Sequence, residues 1–410
     1  MSSNNWIRKK IADFDWGVFF LIIVLFSVGL VALNSATAQS GESYLRNNFH
    51  KQIVWGLIGA TAMFSIFFIQ KRIMFEWSYI IYGATLLLLV LTLFFGTGAG
   101  SSRWFRLGMF QLQPSEFMKV ALVLGLAKYL SSHRLNLNDP KILIVPFILT
   151  LVPTAIVFQQ PDLGTALVFL AILFPMLFWA NVPLFYLFAI LAPLFSILTA
   201  FNFITFAIWI AMVLAVLYFS QLSLFTTLAH FIGNVSLGLV TPMLWNSLQL
   251  YQQTRVLTLF DLSIDPQGSG YQVLQSQTAI GSGGLWGRGI GHGTQTHLKF
   301  LPEQHTDFIF SVIGEELGFI VVAIILVVFV FLFLRLIYLA TQSKDKFSSL
   351  VIIGGVSLLF FHVVVNIAMT VGLMPVTGLP LPLFSYGGSF LVMTFVLFGV
   401  ILNSNSERIV

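Results

Sequence analysis

Apolar residues run along this chain in long blocks separated by short polar breaks. The blocks fall at about 16–34, 52–70, 76–95, 116–131, 142–158, 163–181, 183–199, 203–220, 223–246, 307–335, 349–372 and 385–403. As α-helices most of them are long enough to cross about 30 Å of hydrocarbon. The pattern predicts an all-α, polytopic transmembrane helix bundle of about 10–12 spans in a single membrane domain covering residues 1–410. Division is least sharp between 163 and 246, where only polar interruptions near Asn181, Asn202 and Gln221 break the run. The first block, Trp16 to Leu33, follows Arg8-Lys9-Lys10 and precedes Ala36-Thr37-Ala38, which imitates a secretory signal. It is too long for a signal core and reads as an uncleaved first membrane helix.

Composition sharpens this reading. Hydrophobic residues make up 58% of the 410 and charged residues only 9%, against roughly 25% charged in a soluble domain. A chain so poor in charge needs lipid as its solvent. The net charge of +5 is spread over short loops and forms no basic run, so membrane topology explains it and nucleic-acid binding does not. The absence of cysteine excludes disulfides, thiol chemistry and cysteine metal sites.

Lysine and arginine placement orients the bundle. With the N-terminus in the cytoplasm, Arg8, Lys9, Lys10, Lys71, Arg72, Lys128, Arg134, Lys141, Arg335, Lys344, Lys346 and Arg408 share that side. Arg46, Lys51, Arg103, Arg106, Lys119, Arg255, Arg288 and Lys299 fall outside or in the membrane. Residues 247–306 then form a large extracytoplasmic loop, which holds Gly281-Ser282-Gly283-Gly284 and Gly287-Arg288-Gly289-Ile290-Gly291. Two further outer loops, 96–115 and 373–384, are rich in Gly, or in Pro and Gly. Aromatic and apolar residues in the large loop (Tyr271, Trp286, Phe300) argue that it is ordered, and the chemistry is expected to face outward.

Ionisable groups at membrane depth are costly and point to function. Asp307 stands at the start of the apolar run 307–335, behind Glu303, His305 and Thr306. It could serve as a general base, because a carboxylate at a membrane boundary is partly desolvated and gains proton affinity. It could equally cap the helix. Glu315 and Glu316 follow about 12 Å along, Glu315 nearer the Asp307 side. Pro114-Ser115 marks a helix start, and Glu116 and Lys119, three apart, share a face and can pair. That pair could fix helix geometry or present Lys119 to a polar head group. Arg103 and Arg106 flank Trp104 and suit an anionic ligand or an interfacial anchor. Asp162 suits a helix cap, and Arg255 a solvated loop charge near Asp261 and Asp265. No Walker motif, HExxH site or metal-ligand spacing is present; His292 and His297, five apart in a loop, are a weak pair. These residues alone do not separate a transporter from an enzyme.

Four stretches carry a resemblance. They are Trp104 to Lys119, ending QPSEFMK; Gln160 to Ala166, QPDLGTA; Gly270 to Gly318, GYQVLQSQTAIGSGGLWGRGIGHGTQTHLKFLPEQHTDFIFSVIGEELG; and Asn366 to Gly388, NIAMTVGLMPVTGLPLPLFSYGG. On these the chain resembles the SEDS family (shape, elongation, division and sporulation), and within it the elongation branch, RodA, more than the division branch, FtsW. The family has ten spans, and this chain carries two further apolar segments between about 200 and 246.

The resemblance implies a peptidoglycan glycosyltransferase that polymerises lipid II on the outer face of the bacterial cytoplasmic membrane. It places the family's essential aspartate at Asp307, the base for an inverting displacement. Arg103, Trp104, Arg106, Glu116, Lys119, Arg255, Arg288, Glu303, His305, Thr306, Ser385 and Tyr386 are the substrate-binding candidates. The pyrophosphate leaving group needs counter-charge from the Arg and Lys residues among them or from a divalent cation such as Mg2+. A groove beside Asp307 is expected to pass the polyprenyl tail. The implied partners are a class B penicillin-binding protein and the elongation machinery of the MreB system. The alternatives are a flippase for a polyprenyl-linked precursor and a scaffold without chemistry. A transporter should gather its polar groups near the midplane, whereas here they gather at the outer boundary.

Overall fold

The computed structural model describes residues 10–38, 43–97, 103–107, 110–132, 136, 139–220, 224–248, 250–258, 261–265, 268–297 and 300–406. Arg8, Lys9, Arg134, Lys299 and Arg408, and the side chains of Arg46, Arg255 and His297, lie outside the described residues. Among the described residues each apolar block of the sequence holds a helix. In hydrocarbon a backbone finds no water, so its polar groups must be bonded internally.

The helices are α1 (Trp16–Ala38), α2 (Ser43–Phe67), α3 (Lys71–Phe95), α4 (Pro114–Leu130), α5 (Ile144–Gln159), α6 (Leu163–Trp179), α7 (Leu184–Thr199), α8 (Phe203–Phe219) and α9 (Leu224–Ser247). Two helices, α10 (Leu250–Leu257) and α11 (Ser269–Gly283), and a single turn, α12 (Thr294–His297), follow. The chain ends in α13 (Ile309–Gln342), α14 (Lys346–Thr370) and α15 (Gly388–Ser406). Among the described residues, seven helices are long and apolar enough to cross a membrane, and α6, α7 and α8 are shorter apolar helices. The chain is a polytopic helical membrane protein. The described residues of 247–306 include three helices, α10, α11 and α12.

α14 is the central helix and is buried along most of its length. It packs on α4, α6, α13 and α15. Small residues let backbones approach: a Cβ on Gly354 would come within 2.7 Å of Val123. Helices α7, α8 and α9 form a side unit with its own small core of Ala192, Val213 and Leu217. A buried polar cluster ties the unit together. Ser196 donates to Asn234 at 2.8 Å and Trp209 donates to Ser196 at 2.9 Å. The apolar segments between about 200 and 246 are α8 and α9, held here against α7.

α13 is broken at Gly318, whose φ of 77° lies in the left-handed region. Four backbone groups at the break are bonded elsewhere. The carbonyls of Glu315 and Glu316 accept instead from the amides of Arg288 (3.0 Å) and Gly289 (2.9 Å). The amides of Phe319 and Ile320 donate to the carbonyls of Gly284 (2.9 Å) and Leu285 (3.2 Å). A glycine-rich loop is thus inserted into the helix and satisfies the groups it frees. Glycine is required on both sides: a Cβ on Gly318 would meet Gly287 N at 2.2 Å, and one on Gly287 would meet Glu316 O at 2.2 Å.

Contacts sort the charged residues to two ends. At one end Arg335 bonds Asp15 (2.7 Å), Lys71 meets Asp345 (3.7 Å), Lys10 donates to Ile69 O (2.8 Å) and Lys128 to Glu76 O (2.8 Å). These residues belong to the side on which the sequence gathered its lysines and arginines. The opposite end holds Asp307 and the hairpin β1 (Phe105–Leu107) and β2 (Phe110–Leu112), which pairs Arg106 with Gln111.

Candidate active site

Asp307 lies at the mouth of α13, two residues before its first turn. Phe308 takes the N-cap position, so Asp307 stands outside the cap that the sequence left open for it. The turn before it is tight. Glu303 adopts φ 50°, and its carbonyl accepts from the amides of Thr306 (3.2 Å), Asp307 (3.1 Å) and Phe308 (3.4 Å). Asp307 is half-buried.

Two buried side chains fix the backbone on either side of this carboxylate. Ser385, fully buried, donates from Oγ to Thr306 O at 2.5 Å and accepts from Leu381 N at 2.8 Å. Asn366, also fully buried, donates to Asp307 O at 2.9 Å and to Leu379 O at 2.8 Å. The carboxylate faces the loop 373–387: a Cβ on Gly378 would sit 3.4 Å from Asp307 Oδ2. Gly378 has φ 72°, so it provides both the turn and an open wall.

His305 and Tyr386 form one rim of the site. Their rings lie 5.9 Å apart, and Tyr386 N donates to His305 O at 2.9 Å. Burial pushes the His305 imidazole below its usual range, partly offset by the charge of Glu303. Burial pushes the Tyr386 phenol up, which keeps it a hydroxyl donor. Gln52 of α2 braces this loop by donating to Ser385 O at 3.0 Å. Thr306 donates to Glu303 Oε2 at 3.2 Å.

Glu116 and Lys119 form a buried pair, with Nζ 2.8 Å from Oε1 and 2.9 Å from Oε2. The third Lys119 donor reaches His362 Nε2 at 3.1 Å. An ammonium only donates, so Nε2 must accept, and the His362 proton lies on Nδ1. That proton is donated to Pro380 O at 3.1 Å. His362 and Asn366 lie four apart on one face of α14. Together they hold the consecutive carbonyls of Pro380 and Leu379. The ion pair therefore acts on the Asp307 site through His362 and the loop, with all three ammonium protons committed.

The other candidates sit around this frame. Arg103 donates to Gln160 O (2.8 Å) and Pro161 O (2.5 Å), which pins the loop before α4 to the turn between α5 and α6. Two neutral carbonyls orient this guanidinium without neutralising it. Trp104 bridges back to Thr97, and Arg106 is exposed on the hairpin. Asp162 caps α6, accepting from Thr165 N at 3.1 Å. Next to it, a Cβ on Gly164 would lie 2.9 Å from Thr377 O, beside Gly378, so this turn reaches the Asp307 wall. Arg288 is exposed and donates to Thr294 Oγ1 at 2.7 Å. Glu315 is buried and caps α12 from below, accepting from Gln295 N (2.9 Å) and Thr296 N (3.1 Å). Glu316 accepts from Ser35 Oγ at 2.7 Å. Among the described residues no group of three or more His, Cys, Asp or Glu side chains could hold a metal ion.

His362, Asn366 and Gly378 were absent from the residues singled out in the sequence. The signal for the first two was present: polar residues at i and i+4 inside an otherwise apolar helix.

Comparison with known proteins gives a consistent picture. The profile of a family described as cell cycle protein, FtsW/RodA/SpoVE, matches residues 15–207 and 186–409. The peptidoglycan glycosyltransferase RodA of Treponema pallidum is 32% identical, over 98% of this chain and 99% of its own length. The peptidoglycan glycosyltransferase MrdB of Escherichia coli K12 is 36% identical, over 87% of this chain and 84% of its own. A chain solved in work on structural coordination of polymerization and crosslinking by a peptidoglycan synthase complex aligns with a TM-score of 0.72. It is 32% identical and covers 96% of this chain and 97% of its own.

Proposed function

The chain belongs to the FtsW/RodA/SpoVE family of cell cycle proteins, and from that premise we propose that it is a peptidoglycan glycosyltransferase. It polymerises lipid II into β-1,4-linked glycan during cell elongation, at the outer face of the bacterial cytoplasmic membrane. The whole chain acts as one membrane domain, with 247–306 on the outer side. The observation that carries the reading is the seat of Asp307, a half-buried carboxylate whose flanking carbonyls are held by Ser385 and Asn366 and whose Oδ2 faces a glycine.

Asp307 takes the proton from the 4-hydroxyl of the acceptor GlcNAc. The freed oxygen attacks the anomeric carbon of the donor MurNAc, and the bond from that carbon to undecaprenyl pyrophosphate breaks. The α-linked donor gives a β product, which is a single inverting displacement. Pyrophosphate leaves with the electron pair and needs no proton, but it needs positive charge. Arg103 is oriented and un-neutralised, and Arg106 and Arg288 are exposed at the same end. Lys119, with its donors committed to Glu116 and His362, supports the site from behind. A divalent cation such as Mg2+ would add to the same counter-charge.

The break in α13 resembles the discontinuous helices of transporters. Its backbone groups are already bonded to the inserted loop, however, and Phe319–Gln342 is long enough alone to cross the hydrocarbon. The break lies near the Asp307 end, where it shapes a site open to one side. The working complex adds a class B penicillin-binding protein, which crosslinks the product, and the MreB elongation machinery.

The test is to give the purified protein and its transpeptidase partner lipid II. The expected product is a polymer that a β-1,4 muramidase digests, with undecaprenyl pyrophosphate released. Lipid II crossing a liposome membrane without polymer would support the flippase reading and end this one.

A further inference from the structure

We propose that Asn366 is a positioning residue that sets the geometry between Asp307 and the glycine wall it faces. The inference rests on the catalytic reading of Asp307 given above. Asn366 sits in the apolar interior of α14, fully buried, and touches both halves of the site. Its two amide protons go to Asp307 O (2.9 Å) and to Leu379 O (2.8 Å). Both partners are carbonyl oxygens, which only accept, so the amide orientation follows from chemistry.

One side chain thus ties the residue that carries the carboxylate to the residue next to Gly378. The distance from Asp307 Oδ2 to the Gly378 wall is the gap that this tie holds fixed. A shift of about 1 Å in such a gap can cost on the order of 100-fold in rate. The site accepts a penalty for this arrangement. Asn366 Oδ1 is buried and finds no hydrogen-bond partner among the described residues, and an orphaned acceptor is destabilising. The orphan is the consequence of needing two donors and no acceptor at this position.

Asn366→Leu keeps the branching and removes both donors; it relieves one orphan but strands Asp307 O and Leu379 O, so some loss of stability is expected and the readouts are taken where the variant is fully folded. Asn366→Asp keeps the shape, loses the donors while ionised, and regains one when protonated. The first measurement needs no substrate. The full chain in nanodiscs is treated with dicyclohexylcarbodiimide, and modification of Asp307 is read by peptide mass spectrometry. Asn366→Leu is expected to label several-fold faster at Asp307 at a temperature well below its melting point, because the carboxylate is released from its seat. Unchanged labelling in a folded variant would overturn the proposal, whatever the reaction catalysed.

The second measurement is lipid II polymerisation with the partner transpeptidase. Asn366→Leu is expected to lower kcat by roughly 10- to 100-fold with KM little changed. The ratio of Asn366→Asp to Asn366→Leu turnover should rise as pH falls, as the aspartic acid regains a donor. A raised KM at wild-type kcat, or a ratio flat in pH, would contradict positioning. If the wild type makes no polymer, the proposed activity fails, and the labelling result still decides the role of Asn366.

Discussion

Replacing Lys119 by Met tests the buried ion pair most sharply. Methionine keeps a similar stem and removes only the ammonium. The loss strands two groups. Glu116, 6% exposed, loses the partner that sits 2.8 and 2.9 Å from its oxygens. His362, 0% exposed, loses the donor to Nε2 at 3.1 Å. Breaking a buried pair from one side costs about 3–5 kcal/mol, and an orphaned neutral acceptor about 1–3 kcal/mol. These costs overlap, because the cavity can admit water or let His362 turn, so a total of about 3–5 kcal/mol is expected for the single change. Removing both charges as Glu116→Leu with Lys119→Met leaves only the histidine orphan, about 1–3 kcal/mol. The double variant should therefore be more stable than the single one. Equilibrium unfolding in mixed micelles measures both. A single variant as stable as wild type, or a double variant less stable than the single, would refute the assignment of all three ammonium donors.

Three other expectations follow from named contacts. Gly318→Ala should destabilise the protein by at least about 1–2 kcal/mol from the left-handed backbone alone. Its Cβ would also lie 2.2 Å from Gly287 N, so hydrogen exchange should rise at Arg288, Gly289, Phe319 and Ile320. Ser385→Ala removes the bond to Thr306 O and should lower polymerisation with substrate binding retained, read from kcat against KM. His305 is held below its usual 6.5 by burial, so the unfolded chain takes up a proton first as pH falls. Its contribution to stability is full above about 6.5 and declines below it. Melting temperatures should fall with that sign between about pH 7 and 5, and His305→Gln should flatten the slope.

Much of this was legible in the chain. Among the described residues the apolar blocks located all seven helices long and apolar enough to cross a membrane, because length and hydropathy are local properties. The last residues of α13 were harder. Arg335 reads as a stop, yet the helix continues to Gln342, and the arginine is paired with Asp15, just before α1. Glu116 and Lys119 could be paired from their spacing. Their third partner, His362, lies far along the chain and no periodicity reaches it. The same holds for the break at Gly318. The glycines of 281–291 announced close approach, but that they fill a gap in α13 depends on pairing across some thirty residues of loop. Asp307 stood out as a carboxylate at a membrane boundary. The residues that hold it, Ser385 and Asn366, act through backbone carbonyls, and such contacts leave little mark on sequence.

The most direct test of the central claim is the initial rate of glycan polymerisation from lipid II for wild type and Asp307→Asn, each with the same transpeptidase partner. The isosteric amide keeps the fold and removes the base. The account predicts polymer from wild type and a loss of at least roughly 100-fold in the variant, the scale of general base catalysis, at an unchanged melting temperature. Equal rates from the two proteins would contradict it and remove Asp307 from the chemistry.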